Sequence, residues 1–302
     1  MSVIPPHVTS SPFLATPATA WNAAISPNRP RACDAQLDQP APSDTPSRVI
    51  ICAGPRTGSN ALGRAMLAAG LGIPMEYFLP AHEKRLAERW GIPAPAGRPT
   101  SVARYVRTLM EKRSINGVFA TKLQFWQLQR ALCNPAGQAL FAGAHLIYLT
   151  RGDAQAQAVS LAVAHDAGSL DSDLVERVLP APSMRQLRRA VASILREDAN
   201  FQRFFALSGL RPTVMPYAEV IGDPAGAVKR IAFMVDAQMH GASLAAYLAN
   251  TGRYGAQRMQ YSHYREMARR ELLPAAFDAA HYAAPPFGRI RHLMERITRR
   301  AI

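Results

Sequence analysis

The feature that most restricts the fold is the passage from Arg48-Val49-Ile50-Ile51-Cys52-Ala53 through Gly54-Pro55-Arg56-Thr57-Gly58-Ser59-Asn60 into Ala61–Ala69. The first run is apolar without alternation, as in a parallel strand buried on both faces. In the last, Leu62, Met66 and Ala69 recur at helical spacing and Gly70 suits a helix stop. The unit is strand, glycine-containing loop, helix. A second one follows: His145–Thr150 is strand-like, Arg151-Gly152-Asp153 turns, and helical spacing runs from about Ala154 to Ala164. Ser183 then reads as the N-cap of a long amphipathic helix reaching about Leu207. After Gly209, Thr213–Tyr217 is strand-like and Asp223-Pro224 opens another helix. Strands alternating with helices predict an α/β fold, a parallel sheet with helices on both faces. No internal repeat is present.

The loop at Pro55–Asn60 has a chemistry of its own. Unpaired amides at a helix start, beside the positive end of the helix dipole, make an anion site. Gly58 permits close backbone approach, Ser59 and Asn60 can cap the helix or donate hydrogen bonds, and Arg56 adds a cation. The same residues also fit a tight structural turn. A nucleoside-triphosphate loop would need Lys-Ser/Thr after its last glycine and another glycine five residues earlier, and neither is here.

Composition narrows the partners. Net charge is +14, from 35 basic and 21 acidic residues, and lysine occurs only at Lys84, Lys112, Lys122 and Lys229. A basic surface favours polyanions, yet there is no basic tract, zinc-finger spacing or glycine–aromatic signature of nucleic-acid binders. The expectation is a small anionic ligand and no nucleic acid. Cys33, Cys52 and Cys133 lack metal or disulfide-scaffold spacing, and His145, His165 and His263 lack ligand partners, so no metal is expected. No apolar run approaches the ~18 residues that span a bilayer, and a secretory leader is not apparent. Residues 1–47, rich in Pro, Ser and Ala, read as a disordered tail ahead of a domain at 48–302. Its acid-poor start resembles a type III export signal, the alternative to a cytoplasmic location.

Several segments carry a family resemblance. Pro55-Arg56-Thr57-Gly58-Ser59-Asn60 resembles the P-[KR]-[ST]-G-[ST] loop of sulfotransferases. Gly72-Ile73-Pro74-Met75-Glu76-Tyr77-Phe78 is similar to G-x-P-x-E-Y-F, and Asn116–Leu123 to G-V-F-G-x-K-L, of the bacterial trehalose 2-sulfotransferase family. Arg151-Gly152-Asp153 with Gln157-Ala158-Val159-Ser160 matches its R-x-D-x-x-x-Q-A-V-S, and Tyr217–Pro224 resembles Y-E-D-L-x-x-D-P. The resemblance implies a P-loop-like sulfotransferase fold and an enzyme that moves a sulfuryl group from 3′-phosphoadenylyl sulfate (PAPS) to a hydroxyl of a carbohydrate or glycolipid. It implies that Arg56, Thr57, Gly58, Ser59 and Asn60 hold the phosphosulfate and that Arg151 and Ser160 hold the 3′-phosphate. Glu76 would be the general base and Arg56 would stabilise the leaving oxygen. Lys122 is a further candidate for the sulfuryl group or the acceptor, against a strand-end surface lysine.

The sequence also departs from the family. Ala164–Leu170 lacks the threonine and aromatic of A-x-x-T-G-x-W, and Ala218 replaces an acidic residue. Arg253, Arg258 and Gln260 offer a late basic loop over the 3′-phosphate. Arg289–Ile297 reads as a basic amphipathic helix able to rest on an anionic membrane or pack on its own domain. A homodimer stays open. The competing functions are a non-catalytic nucleotide- or protein-binding relative, exported as an effector, and a P-loop kinase or NTPase.

Overall fold

The computed structural model describes residues 31–40, 45–92, 99–166 and 182–251. Five strands form one sheet: β1 (Ser47–Ala53), β2 (Ser114–Ile115), β3 (Val118–Leu123), β4 (His145–Thr150) and β5 (Thr213–Pro216). Their spatial order is β2-β3-β1-β4-β5. All pairs are parallel except β2 with β3, and register sets Ile51 between Lys122 of β3 and Ile147 of β4. The α/β expectation holds. Because β1 runs between strands that follow it in sequence on either side, its C-terminal end is a topological switch point, where ligands collect in such sheets.

The strand runs alternate between two cores. Ile50 and Cys52 join Tyr77, Phe119, Leu123, Tyr148 and Phe201 on one face; Val49, Ile51 and Ala53 join Leu62, Met66, Leu149 and Met215 on the other. Each fully buried aliphatic of this kind contributes about 1.5–3 kcal/mol. Burial also pushes the Cys52 thiol up to about 12, which leaves it an inert core residue.

Helices cover both faces: α1 (Ser59–Ala68), α2 (Pro80–Arg89), α3 (Pro99–Lys112), α4 (Phe125–Leu132), α5 (Pro135–Phe141), α6 (Ala154–Asp166), α7 (Met184–Ser208), α8 (Tyr217–Gly222), α9 (Pro224–Met234) and α10 (Gly241–Thr251). Local chemistry sets several ends. α1 closes as predicted near Gly70, whose N–H donates to Leu67 O while Leu71 N–H donates to Met66 O. Ser183 and Gln186 form a capping box for α7, and Asp223 accepts from Gly226 N–H at 2.8 Å at the start of α9. Among the described residues no helix is long and apolar enough to cross a membrane.

Two expectations need correction, and one of the two alternatives for Lys122 is excluded. Tyr217 is not in β5 but opens α8, because Pro216 stands at its N-cap and ends the ladder. Lys122 is not a surface residue at a strand end; it lies inside β3 and is 8% exposed. The part of the 1–47 tail at residues 31–40 is ordered against the domain. Its Leu37 is buried with Leu67, Ile73 and Ile115, and Gln39 N–H donates to Lys112 O. Buried Ala32 and Leu37, Cys33 packed against the core, and the Asp38 carboxylate dock a segment whose average composition is that of a linker.

Candidate functional site

The loop after β1 turns on two residues in left-handed backbone: Arg56 at φ 64° and Gly58 at φ 87°. Thr57 is buried and spends its hydroxyl inside the loop, donating to Gly54 O at 2.8 Å. Gly58 is itself the N-cap, without a side-chain cap, so Ser59 and Asn60 lie inside the first turn rather than capping it. The earliest N–H groups of α1 thus have no intrahelical acceptor and start directly beside the loop. Residue 58 must be glycine on two counts: its positive φ, and the Tyr217 ring, which a Cβ would meet at 3.1 Å.

Residues from the second strand–loop–helix unit converge here. Arg56 Nε donates to Ser160 Oγ at 2.8 Å, and Arg151 Nη1 donates to Arg56 O at 2.9 Å. Gln157, one turn before Ser160, donates to Pro55 O at 2.7 Å. The guanidinium of Arg151 lies over the Tyr217 ring, 4.1 Å from its centroid. Asp153 behaves as a cap, accepting from Ala156 N–H at 2.8 Å at the start of α6.

Glu76 arrives from a third direction. Gly72, at φ 78°, passes so close to β3 that a Cβ would come within 2.9 Å of the Ala120 Cβ. Met75 O then accepts from Lys122 N–H at 3.1 Å and from Thr121 Oγ1 at 3.0 Å, so this segment borders β3. Glu76 Oε1 pairs with Lys122 Nζ at 3.6 Å, and Gln127 Nε2 donates to Glu76 Oε2 at 3.1 Å. Lys122 also donates to Asn60 Oδ1 in the first turn of α1. One buried lysine therefore links the anion-type loop to the Glu76 carboxylate.

Residues 48–251 match the model of the Stf0 sulphotransferase family. The chain belongs to that family. Among solved structures it is similar to the sulfotransferase domain from the curacin biosynthetic pathway, at 19% identity and TM-score 0.37, over 67% of this chain and 77% of that one. It is also similar to the sulfotransferase domain from the Synechococcus PCC 7002 olefin synthase, at 17% identity and TM-score 0.41, over 82% and 98%. No curated protein sequence matches the chain.

As a member of the Stf0 family, the chain thus brings Arg56, Thr57, Gly58, Ser59, Asn60, Arg151 and Ser160 to one edge of the sheet, with Glu76 joined to them through Lys122. Sequence reading assigned no role to Gln157 or Gln127, which hold Pro55 O and the Glu76 carboxylate. Gln157 stood within a quoted motif, while Gln127 had no signal. It also missed the carboxylates of α7. A cavity of about 260 Å³ opens at the ends of β1 and β4, lined by Thr57, Arg151 and Gln157 on one side and Ile194, Asp198 and Phe201 on the other. Asp198 accepts from the Tyr148 hydroxyl, and its neighbour Glu197 accepts from Phe125 N–H at 2.5 Å. Burial pushes the Glu197 carboxyl up, against the opposing effect of that hydrogen bond. The altered motif from Ala167 to Leu170, the residues Arg253, Arg258 and Gln260, and the basic stretch 289–297 lie outside the described residues.

Proposed function

We propose that this sulfotransferase takes its sulfuryl group from PAPS and delivers it to a hydroxyl of a carbohydrate or glycolipid. The observation that carries the reading is the convergence of two guanidinium groups and a serine hydroxyl on one glycine loop: Arg56 on Ser160 at 2.8 Å, and Arg151 on Arg56 O at 2.9 Å. A donor with a phosphosulfate at one end and a 3′-phosphate at the other needs two cationic subsites. A helix start with a cation beside it suits the first, and a planar arginine fork with a hydroxyl near it suits the second. The left-handed turn at Gly58 starts α1 directly after the loop, so that the first amides of the helix and Arg56 belong to one short segment.

When bound, the donor supplies a sulfuryl group on an anhydride oxygen and leaves as adenosine 3′,5′-bisphosphate. The amides of Thr57, Gly58 and Ser59 hold the phosphosulfate, and Arg56 balances charge on the leaving oxygen. Arg151 and Ser160 hold the 3′-phosphate. Glu76 takes the proton from the attacking hydroxyl, with Gln127 fixing one carboxylate oxygen and Lys122 beside the other. Catalysis of this kind is mainly positioning and charge stabilisation, as in phosphoryl transfer.

Two measurements test the reading. Calorimetry should find adenosine 3′,5′-bisphosphate bound at least about tenfold more tightly than 5′-AMP without Mg²⁺, as a charge-assisted arginine–phosphate contact predicts. Equal affinity for the two nucleotides excludes it. Transfer of radiolabelled sulfate from PAPS into a lysate, with separation of glycolipid and water-soluble fractions, tests the acceptor class; label confined to protein or phenolic products overturns that part.

A further inference from the structure

We propose that Tyr217 is a positioning residue for Arg151, and that through Arg151 it sets selectivity for a ribose 3′-phosphate. The proposal rests on the donor reading of Arg151 given above. The Tyr217 ring has neighbours on two sides. The guanidinium carbon of Arg151 stands 4.1 Å from the ring centroid, a close stack. Gly58 leaves the space that a side chain there would take from the same ring, with Cδ2 at 3.1 Å and Cε2 at 3.5 Å from a Cβ position. The ring therefore stands beside both the loop at Gly58 and the arginine that follows the neighbouring strand.

Its backbone is well placed for this. Pro216 pairs with Thr150, the residue before Arg151, in the parallel ladder, and Tyr217 follows Pro216 at the start of α8. The side chains after each of two neighbouring strands therefore meet at the same edge. Stacking uses the π face of a guanidinium and leaves its N–H donors in the plane, directed sideways. Nη1 of Arg151 already donates to Arg56 O, so a contact in the plane and one on the face together define the orientation of the fork. Bidentate phosphate binding depends on that orientation, because the two donors must meet two oxygens at once. Without the ring, the fork would keep its hydrogen bond to Arg56 O but lose the contact over its face. The ring needs only its aromatic face for this role, not its hydroxyl.

The test measures the ratio of affinities for adenosine 3′,5′-bisphosphate and 5′-AMP by calorimetry, with the full chain as wild type, Tyr217→Phe, Tyr217→Leu, Tyr217→Met, Arg151→Ala and Tyr217→Leu/Arg151→Ala. Tyr217→Phe should keep the wild-type ratio within about twofold, and each aliphatic variant should lower it about tenfold, the worth of a partly desolvated cation–π contact. The double variant should show the ratio of Arg151→Ala alone, because both changes remove one device. A purely structural role would lower the melting temperature and both affinities together without moving the ratio, and that result overturns the proposal. The Leu and Met variants differ in shape, so one misfolded protein does not decide the matter. A wild-type chain that does not distinguish the two nucleotides ends the donor reading and this proposal with it. A wild-type preference that survives in Tyr217→Leu ends this proposal alone.

Discussion

Arg113 is wholly buried, and the carboxylate that meets it at 3.0 Å belongs to Asp38, ahead of the first strand. Its Nε and Nη1 have no hydrogen-bond partner among the described residues, and its guanidinium lies 5.9 Å from the Tyr77 ring and 5.7 Å from the Trp90 ring. Asp38 also accepts from Arg89 at 3.0 Å and from Trp90 Nε1 at 3.1 Å. A short segment outside the matched family region thus compensates a buried charge next to Tyr77, the neighbour of Glu76.

Removing that carboxylate should be costly. Asp38→Ala is expected to destabilise the fold by about 3 kcal/mol, the lower end for leaving one member of a buried pair uncompensated. Asp38→Ala/Arg113→Met should recover most of the loss, since no buried charge remains. Equilibrium urea unfolding decides; a loss below about 1 kcal/mol for the single variant would mean that solvent reaches Arg113 easily.

Chemistry and binding should separate at Glu76. Glu76→Gln keeps the shape and the partner Gln127 but loses the proton acceptor, so turnover should fall roughly 10²–10⁴-fold with bisphosphate affinity within a few-fold. Arg56→Ala should impair both. Single-turnover assays with calorimetry on the same preparations make the comparison. Near-wild-type turnover by Glu76→Gln would remove it as the base.

Gly58→Ala should damage the loop more than the fold. A left-handed φ of 87° is costly for alanine, by roughly 1–2 kcal/mol, and the new methyl meets the Tyr217 ring. Bisphosphate affinity should drop about tenfold or more, while the melting temperature moves only a few degrees. An affinity equal to wild type would show that the loop does not contact the ligand.

Glu197 predicts a pH dependence. Burial raises its carboxyl above the ordinary 4.5, so the folded state holds the proton more tightly than the unfolded chain. This group's contribution is therefore favourable at low pH and is lost as pH rises from 4.5 through the raised folded value. Glu197→Gln keeps an oxygen for Phe125 N–H and removes the titration. Thermal unfolding from about pH 4 to 8 should show wild type losing stability relative to the variant over that window; a constant difference would contradict the burial argument.

What the sequence by itself determined is local. The apolar runs at β1, β4 and β5, the helix stop near Gly70, the Ser183 cap and the Asp223-Pro224 helix start all arise from nearest-neighbour chemistry, which a single chain segment states completely. The Pro55–Asn60 loop was legible for the same reason. Tertiary structure decided the rest. Register between β1 and its neighbours brought Ser160 to Arg56, and the passage of Gly72–Met75 along β3 brought Glu76 to Lys122. Neither pairing could be read from spacing, because Arg56 and Ser160 stand 104 positions apart and Glu76 and Lys122 stand 46 apart. The docking of residues 31–40 was hidden for a different reason. A composition average cannot register that Ala32, Cys33 and Leu37 meet apolar surface and that Asp38 meets a buried arginine, and only the folded partner surface makes those residues bind.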